Sequence, residues 1–441
     1  MNKNLDLIIN LIKKGYKICT DSRKATKGNI FIALKGDLFN GNNFALNAIE
    51  SGCEYAIIDE DIKDKHPKII KVDNCLLFLQ ELAKKYRNQF EIPVLAITGS
   101  NGKTTTKELI TKVLSKKFNV LSTKGNLNNH IGAPLTILEL KNSHEIAIIE
   151  IGANQPGEIA MLSEIVNPTH GIITNIGKAH LEGFKNIETI IETKGALYRH
   201  LIKNSGVIFQ RGENEILKNI SLAYNRIIKY GEGSNNELQG TLINSKEFLK
   251  VEYFTNSIFG ACKRNVDSIV ESHLTGIYNF ENILSAISVG LYFGVSEKDI
   301  NKAIEEYTPD NSRSQIINNG NNLIFMDAYN ANPTSMLASL ESFLTFGADP
   351  KVLILGDMLE MGDYAEQEHE NILRWIDKHK FQQVLLIGKV FHSLQNKYQT
   401  YHYFEEVNAA NKWIAQNEIN KSTVLIKGSR GIKLEVLLTS L

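Results

Sequence analysis

A short stretch at residues 94–107 carries the residue types that bind the phosphates of a nucleotide. It reads V-L-A-I-T-G-S-N-G-K-T-T-T-K, an apolar run followed by a glycine-rich turn and a lysine. Gly99 and Gly102 permit close backbone approach, so successive N–H groups can point at phosphoryl oxygens beside a helix N-terminus. Lys103 adds a positive charge, and Thr104 adds a hydroxyl suited to Mg²⁺. The stretch therefore predicts a phosphate-binding loop between a buried strand and a helix.

The predicted loop departs from the strict Walker pattern, which requires glycine where Ile97 stands. The alternative interpretation is an ordinary glycine-rich turn that opens a helix. We favour phosphate binding because the strand, the turn, the Lys-Thr pair and the helix occur in the required order. The nucleotide-binding residues are then expected to be Gly99, Ser100, Asn101, Gly102, Lys103, Thr104 and Thr105.

Composition restricts the class of protein to which the chain can belong. Its 441 residues exceed the size of a single hydrophobic core, so two or three domains are expected. The 49 basic and 49 acidic side chains balance, which removes any global attraction to nucleic acid or to an anionic membrane. Local positive sites must then bind any phosphate.

The cysteines and the apolar runs indicate a cytoplasmic protein. Cys19, Cys53, Cys75 and Cys262 are scattered without a C-x-x-C pair, so neither a zinc site nor a disulfide framework is expected. The apolar segment at 5–12 is interrupted by polar residues, and no run approaches the roughly 18 apolar residues of a membrane span. We therefore expect a soluble chain with no nucleic-acid partner and no membrane insertion, and a monomer is the default.

Short apolar runs alternate with helical patterns, which predicts an α/β fold of three domains. Residues 1–88 form a small N-terminal α/β unit, in which Asn74 is expected to cap a helix at 76–86. Residues 89–311 continue from the phosphate loop as a central P-loop parallel sheet with helices on both faces. Residues 312–441 predict a C-terminal doubly wound, Rossmann-like sheet.

Polar side chains cluster where the predicted central strands end. Strands are expected at 120–122, 146–150, 171–175 and 207–209, and residues 237–270 suggest a β-rich edge. Ligands gather at the carboxyl ends of parallel strands. The side chains expected there are Asn126, Asn128, Asn129, Glu150, Asn175 and His180.

Three side chains are candidates for a metal site, Glu150, His180 and Lys194. Only Glu150 is indicated as a metal ligand by the residues around it in the sequence. Glu150 ends an apolar strand where a P-loop enzyme needs a second Mg²⁺ ligand, and Mg²⁺ prefers carboxylate, hydroxyl, water and phosphate oxygens. His180 is either a ligand or a core histidine, and its sequence position alone slightly favours the core. Lys194, on a helix that begins near Ile187, would by itself be interpreted as a solvated charge.

An ordered set of motifs resembles the Mur ligases over nearly the full length of the chain. These motifs are the loop 98–105, Gly125-Asn-Leu-Asn-Asn-His-Ile-Gly-Ala-Pro-Leu-Thr, Glu150-Ile-Gly-Ala-Asn, Asn175-Ile-Gly-Lys-Ala-His-Leu-Glu, Lys194-Gly, Asn279 with Asn282, Asp327-Ala-Tyr-Asn-Ala-Asn-Pro-Thr-Ser-Met, Leu355-Gly-Asp-Met-Leu-Glu-Met-Gly and Lys427-Gly-Ser-Arg. Such an ordered set is highly specific. One departure is Tyr278, where the family commonly has histidine before the asparagine.

The resemblance implies roles for individual side chains. Lys194 resembles the family's carbamylated lysine: a desolvated amine of lowered pKa can add CO₂ and become an anion with two oxygens suited to Mg²⁺. Glu150 and His180 would share its metal, and Thr104 with Glu150 would hold another. The implied catalytic set is Lys103, Glu150, His180, Lys194 and Arg313.

The resemblance also implies the contacts to nucleotide and substrate. Asn279 and Asn282 would lie near the adenine, Arg313 near the phosphates and Asp327 near the ribose. The uridine diphosphate end of the substrate would be held by Ser22, Arg23 and Asn43. The other implied substrate contacts are Asn126, Asn128, Asn129, Tyr329, Asn330 and Asn332.

The activity implied by the resemblance is ATP-dependent formation of an amide bond in peptidoglycan precursor synthesis. The segments Tyr329-Asn-Ala-Asn-Pro and Gly-Asp-Met-Leu-Glu resemble the family member that adds a dipeptide. The implied substrates are UDP-N-acetylmuramoyl-tripeptide, whose third residue is diaminopimelate or lysine, and D-alanyl-D-alanine. A peptide carboxylate would take the γ-phosphoryl group of ATP, and the dipeptide amine would then expel phosphate. Closure of the C-terminal domain is expected to assemble the site.

Two other classes of protein remain as alternatives. A folylpolyglutamate synthase uses a related loop and also joins an amino acid to a carboxylate, but the N-terminal unit and the Tyr329 segment argue against it. A nucleotide-dependent switch would hydrolyse ATP only to change shape. ADP release without an amine acceptor would favour the switch, whereas acceptor-dependent release would favour the ligase.

Overall fold

The computed structural model describes residues 2–62, 66–255, 258–259, 262–263 and 266–441. Within these ranges three large sheets, each accompanied by helices, follow one another along the chain, which confirms the predicted fold class. Two short two-stranded sheets pair Lys35–Gly36 with Phe39–Asn40 and Ile258–Phe259 with Cys262–Lys263. In the same ranges, every helix is too short or too polar to span a lipid bilayer.

The N-terminal sheet is parallel. Its described strands lie in the spatial order Lys17–Cys19, Asn29–Ile32, Tyr55–Ile58 and Ile69–Lys71. The helices of this unit are Asn2–Lys13, Ala45–Glu50 and Cys75–Arg87, with short 3-10 helices at Ser22–Lys24 and Gly41–Phe44. Asn74 caps the third α-helix as predicted, because its side chain accepts the Leu77 N–H at 2.8 Å.

The central sheet is parallel through most of its width and has an antiparallel edge. Its described strands lie in the order Val120–Ser122, Ile146–Glu150, Val94–Thr98, His170–Ile173, Val207–Arg211, Ile227–Gly231, Leu238–Asn244, Lys250–Thr255 and Val266–Glu271. The last two strands run antiparallel to their neighbours, which confirms the β-rich edge within the described part of residues 237–270. Residues 256–257, 260–261 and 264–265 of that prediction lie outside the described ranges.

Helices cover both faces of the central sheet, as predicted. Val94 and Ala96 belong to one hydrophobic core, and the alternate residues Leu95 and Ile97 belong to the other. The helices on the first side are Gly132–Ile137, Glu158–Val166 and Ile187–Lys203. Those on the second side are Lys103–Leu114, Asn279–Tyr292 and Glu297–Glu305. Shorter helices at Leu181–Phe184 and Glu215–Ile220 complete the domain.

The C-terminal sheet repeats this architecture with one antiparallel edge strand. Its described strands lie in the order Gln315–Asn318, Leu323–Asp327, Thr423–Lys427, Lys351–Gly356, Gln383–Ile387 and His402–Phe404. Its α-helices are Pro333–Thr345, Ala365–Ile376, Lys389–Ser393 and Val407–Gln416. Short 3-10 helices lie at Gly362–Tyr364, Arg430–Ile432 and Leu434–Thr439. The predicted doubly wound sheet is confirmed.

A buried arginine fixes the N-terminal unit to the central domain. Arg87 is 4% exposed and ends the helix Cys75–Arg87. Its guanidinium donates to the carbonyls of Val166 at 3.1 Å, Asn167 at 3.2 Å and Phe90 at 2.6 Å. These contacts tie the joint between the domains to the end of a central helix.

Replacing this arginine is expected to destabilise the joint. In Arg87→Met, the buried carbonyl of Val166 and the partly buried carbonyls of Phe90 and Asn167 lose their donors, so the free energy of unfolding should fall by about 2 kcal/mol or more. Urea denaturation of the whole chain measures the change. The matched control is Lys84→Met on the same helix, whose exposed ammonium pairs with Glu164 at 3.5 Å and should contribute less than about 1 kcal/mol. Equal midpoints for the two variants would contradict the assigned role of Arg87.

Candidate active site

A cavity of about 490 Å³ opens between the central and C-terminal sheets. The predicted site residues that line it are Ser100, Asn101, Gly102, Lys103, Thr104, Thr105, Asn126, Asn128, Asn129, Glu150, His180, Asn279, Asn282, Arg313, Asp327, Tyr329, Asn330 and Asn332. Those that do not line it are Ser22, Arg23, Asn43, Gly99 and Lys194. The fold therefore brings together side chains from two domains that are far apart in sequence.

The glycine positions of the loop are required by its backbone and by its neighbours. Gly99 has φ of +147° and Gly102 has φ of +79°, both in the region that favours glycine. A Cβ atom at Gly99 would collide with the Thr174 hydroxyl. A Cβ atom at Gly102 would lie 2.7 Å from Oδ1 of Asn282. The loop therefore fits closely against both the sheet and the helix that begins at Asn279.

The neighbouring strand end holds the loop in shape. The Ser100 N–H donates to the Asn175 carbonyl at 2.9 Å, and the Asn101 N–H donates to Oδ1 of Asn175 at 3.0 Å. The Thr174 hydroxyl donates to the Asn101 carbonyl at 2.5 Å. The strand predicted at 171–175 spans His170–Ile173, and the two residues after it bond to the loop.

Lys103 closes the loop on itself. Its Nζ donates to the carbonyl of Gly99 at 2.7 Å and to that of Ser100 at 3.3 Å. Burial lowers the pKa of Lys103, and the nearby Glu150 opposes this shift. The Lys103 ammonium therefore lies against the loop, at the N-terminus of the helix Lys103–Leu114, and this N-terminus faces the cavity.

Glu150 is a buried carboxylate with only one satisfied oxygen. Its side chain is 1% exposed. Oε1 accepts from Nδ2 of Asn128 at 2.7 Å and from the Thr104 hydroxyl at 3.2 Å. Oε2 is buried and has no hydrogen-bond partner among the described residues. An unpaired carboxylate oxygen next to a hydroxyl is a donor set suited to Mg²⁺.

The donor set fits a metal that is completed by phosphate. Within the residues that the structure describes, no cluster of three or more His, Cys, Asp or Glu side chains could hold a metal ion. Mg²⁺ is usually bound through one or two carboxylates together with water and substrate phosphates. Thr104 and Glu150 supply this minimum beside the phosphate loop.

His180 connects the two domains in this arrangement. Its Nδ1 is hydrogen-bonded to Oε2 of Glu360, and the two side chains come from different domains. The histidine holds the pKa of the Glu360 carboxyl below its usual range. Sequence reasoning had no role for Glu360, although it belongs to the Gly-Asp-Met-Leu-Glu motif that follows the strand Lys351–Gly356. Its position at the carboxyl end of a strand is the signal that could have identified it.

Lys194 does not line the cavity, and it is not a solvated charge. The side chain is 1% exposed, and its Nζ lies 5.8 Å from the centre of the Phe184 ring. Burial and the nearby charge of Lys103 lower the pKa of Lys194 to about 7, although Glu158 opposes the shift. The amine is therefore largely uncharged above neutral pH, which is the form that can react with CO₂.

Asp327 is held by side chains from its own domain and from the central domain. Oδ2 accepts from Nζ of Lys427 at 2.6 Å and from the Ser339 hydroxyl at 3.1 Å. The Tyr278 hydroxyl lies 2.9 Å from Oγ of Ser314 and 3.5 Å from Oδ2 of Asp327. Burial raises the pKa of Tyr278, and Asp327 raises it further. Tyr278, which stands where the family commonly has histidine, therefore places a neutral hydroxyl at the joint between the domains.

Several predicted asparagines act in the scaffold of the site. Asn332 caps the helix Pro333–Thr345, and its Nδ2 donates to Oδ1 of Asn101 at 2.8 Å across the cleft. Oδ1 of Asn129 accepts the N–H of Gly132 at 2.9 Å at the start of a helix. The other scaffold contacts are Thr106 to Asn282 at 3.0 Å, Asn282 to Asn279 at 2.8 Å and Asn279 to Ser314 at 3.0 Å.

The N-terminal residues predicted for the uridine diphosphate lie outside the cavity. Ser22 and Arg23 lie on the 3-10 helix Ser22–Lys24, and the Arg23 guanidinium bonds to Asp21 at 2.8 Å. Asn43 is exposed on Gly41–Phe44. The role of these side chains in binding the uridine diphosphate stays a prediction.

Comparisons with known proteins identify the family. Residues 97–290 match the Mur ligase middle domain, and residues 312–430 match the domain described as Mur ligase, glutamate ligase domain. The UDP-N-acetylmuramoyl-tripeptide--D-alanyl-D-alanine ligase of Bacillus subtilis strain 168 is 34% identical over 438 residues, covering 97% of this chain and 93% of the relative. The chain therefore belongs to the Mur ligase family, as the motifs predicted.

Solved structures agree with this assignment at the level of the whole fold. A crystal structure of MurF from Acinetobacter baumannii is 31% identical and matches with a TM-score of 0.87, covering 98% of this chain and 97% of that one. The MurF ligase from Thermotoga maritima, solved in complex with ADP, matches with a TM-score of 0.84 at 24% identity over 98% and 97% of the two chains. The latter likeness supports the fold alone.

The unpaired oxygen of Glu150 leads to opposite expectations for activity and stability. Glu150→Gln removes a buried negative charge while keeping an oxygen that can accept from Asn128 and Thr104. We expect activity to fall by about 100-fold, with a higher Mg²⁺ concentration needed for half-maximal rate. The free energy of unfolding should rise by about 1 kcal/mol or more, because no buried charge remains.

Steady-state rates over a Mg²⁺ titration and thermal melting of the same samples measure both effects. The matched control is Glu139→Gln, whose exposed carboxylate pairs with Lys124 at 2.7 Å and should leave rate and stability nearly unchanged. An active Glu150→Gln enzyme with an unaltered Mg²⁺ requirement would exclude the proposed metal site.

Proposed function

We propose that the chain is an ATP-dependent ligase that joins D-alanyl-D-alanine to UDP-N-acetylmuramoyl-tripeptide. The products are UDP-N-acetylmuramoyl-pentapeptide, ADP and phosphate, a step of peptidoglycan precursor synthesis. The observation that carries the proposal is one cavity that combines a phosphate loop, a buried carboxylate with a free oxygen and two C-terminal motifs. The Bacillus subtilis relative that bears this activity in its name aligns over 97% of the chain.

The first chemical step is transfer of a phosphoryl group to the peptide carboxylate. A carboxylate oxygen attacks the γ-phosphorus of ATP, the bond from that phosphorus to the bridging oxygen breaks, and ADP leaves. Both reactants are anionic, so positive charge must be in place before in-line attack. Lys103, in the phosphate loop, and Arg313, on the C-terminal side, both line the cavity and supply this charge.

The second step forms the amide bond. The dipeptide amine attacks the carbonyl carbon of the acyl phosphate, the carbon–oxygen bond to phosphate breaks, and the amine loses a proton. Because water would compete for the acyl phosphate, the cavity must exclude it during this step. The residues that line the C-terminal wall are therefore expected to close over the intermediate.

Metal binding is proposed for the residues whose donor atoms fit it. Thr104 and Glu150 would hold one Mg²⁺, and Glu150, His180 and a carbamylated Lys194 would hold a second. When bound, the metal supplies positive charge to the phosphoryl oxygens. The contact that His180 makes with Glu360 would be exchanged for this ligation.

Contacts across the cleft support closure of the C-terminal domain as part of the cycle. Nζ of Lys178 lies 2.6 Å from the Glu368 carboxylate, and Asn332 donates to Asn101 at 2.8 Å. Each contact is polar and joins the central domain to the C-terminal domain, so opening of the domains would break it and return its groups to water. We propose that opening these contacts admits the substrates.

The proposed setting is the cytoplasm, where the chain would work as a monomer. Cys19, Cys53 and Cys75 are buried free thiols, which a reducing compartment favours. The UDP end of the substrate would extend to Ser22, Arg23 and Asn43 on the N-terminal unit.

A product assay tests the function directly. Purified protein is incubated with ATP, Mg²⁺, D-alanyl-D-alanine and UDP-muramoyl-tripeptide carrying either diaminopimelate or lysine, and the products are weighed by mass spectrometry. We expect a pentapeptide product and ADP release that depends on the dipeptide. Equal ADP release with and without dipeptide would favour the nucleotide switch. In a parallel incubation with ATP, Mg²⁺, glutamate and a folate, ligation of glutamate to the folate would favour the folylpolyglutamate synthase.

If Lys194 carries a carbamate, replacing it should lower the activity, and added short carboxylates should partly restore that activity. Lys194→Ala should lower kcat by at least about 10-fold, because a metal ligand is lost, and short carboxylates at high concentration should partly restore it. Lys203→Ala, at the exposed end of the same helix, is the matched control and should keep full activity. Full activity of Lys194→Ala without added carboxylate would remove the carbamate role.

The same lysine predicts a dependence on pH and CO₂. Only the uncharged amine adds CO₂, and the pKa of Lys194 is lowered to about 7. Activity in bicarbonate-free buffer should therefore fall as the pH drops below about 7, and added bicarbonate should restore it at pH 8 more fully than at pH 6. Rates measured at fixed ATP and Mg²⁺ check this. An identical response to bicarbonate at both values would contradict it.

A further inference from the structure

Two guanidinium groups share one aromatic ring on the C-terminal side of the cleft. The Arg313 guanidinium carbon lies 3.5 Å from the centre of the Tyr329 ring, and that of Arg430 lies 5.0 Å from the same centre. Nε of Arg313 is buried and without a hydrogen-bond partner. In the part of the chain that the structure describes, neither guanidinium is paired with a carboxylate within 4.0 Å. Two unpaired cations this close together indicate a binding place for anions.

The other cations around the cleft are already engaged. Lys103 donates to the carbonyls of its own loop. Lys427 is paired with Asp327 at 2.6 Å, and Lys178 is paired with Glu368 at 2.6 Å. Arg313 and Arg430 are therefore the cations with free donors at the Tyr329 ring. The proposed reaction brings two kinds of anion to this wall, the nucleotide phosphates and the carboxylate of the dipeptide.

We infer that Arg430 binds the C-terminal carboxylate of the incoming dipeptide, with the Tyr329 ring holding its guanidinium in place. This inference rests on the proposed ligase function. Arg430 is exposed and begins the 3-10 helix Arg430–Ile432, directly after the strand Thr423–Lys427. Ligands gather at such strand ends in doubly wound sheets. A planar guanidinium also matches a carboxylate with two parallel hydrogen bonds.

Distance separates the roles of the two arginines. A dipeptide spans at most about 7 Å between its amine and its carboxylate. An acceptor whose amine reaches the acyl phosphate must therefore place its carboxylate close to the phosphate site but not in it. Arg313 lines the cavity, whereas Arg430 contacts the same ring without being a lining residue. The geometry gives the phosphate to Arg313 and the acceptor carboxylate to Arg430.

Binding of the terminal carboxylate by Arg430 would distinguish a dipeptide acceptor from an acceptor that lacks the terminal charge. D-Alanyl-D-alanine has one negative group, and D-alanyl-D-alaninamide has none. If Arg430 binds the terminal carboxylate, the wild-type enzyme should discriminate strongly between the two acceptors. The discrimination should vanish when the guanidinium is removed.

Steady-state kinetics of the full chain with both acceptors test the inference. In Arg430→Gln, KM for D-alanyl-D-alanine should rise at least about 10-fold, as expected for loss of a charge-assisted hydrogen bond. KM for D-alanyl-D-alaninamide, ATP and the UDP-tripeptide should stay the same. Arg430→Lys keeps the charge without the planar fork, so its KM for the dipeptide should be intermediate. The matched control Arg374→Gln removes a surface arginine that pairs with Glu370 in the same domain, and it should change none of these values.

The possible outcomes separate this inference from the function on which it rests. A wild-type enzyme that forms no pentapeptide overturns both. An active wild type with an unaltered KM for the dipeptide in Arg430→Gln overturns the role of Arg430 alone. A raised KM for ATP in that variant, or equal losses with the dipeptide and its amide, also overturns it. A loss confined to the charged acceptor supports it.

Discussion

The buried carboxylate of Glu150 is the constraint on which the rest of the cleft depends. Burying an ionised carboxylate costs several kcal/mol unless charge or hydrogen bonds offset it. Asn128 and Thr104 satisfy one of its oxygens, and the other has no partner in the described structure. A fold keeps such a group where function needs it. The neighbouring Lys103 and the largely neutral Lys194 fit this arrangement, because a bound metal would bring the missing positive charge.

The strands that carry the site were predictable because their sequences leave little freedom. Strands buried on both faces appear as continuous apolar runs, and Ile146–Glu150 has the predicted bounds. The polar residues that follow such runs lie at the carboxyl edge by the geometry of a parallel sheet. Sequence therefore indicated the phosphate loop, Glu150 and the asparagines that line the cavity.

Contacts between domains were not predictable, because the bonded residues are far apart in the chain and no local pattern couples them. His180 meets Glu360, and Asn332 meets Asn101, only once two separately folded sheets pack together. The burial of Lys194 was also not predictable from the sequence. Its amphipathic helix signals which side faces the core, but only the packed structure shows that the amine is almost fully buried. Burial then changes the protonation that the sequence alone would assign.

Unpaired charge, and not total charge, decides what this cleft attracts. The chain has equal numbers of acidic and basic side chains, so its overall field favours neither sign. Acidic groups at the cleft are matched locally: Asp327 by Lys427, Glu368 by Lys178 and Glu360 by His180. Among the residues that the structure describes, the groups that remain unpaired there are one oxygen of Glu150 on the central side and the two guanidiniums at the Tyr329 ring on the C-terminal side. A metal ion suits the central side and anionic substrates suit the C-terminal side, so the reactants are drawn to opposite sides and meet at the phosphate loop.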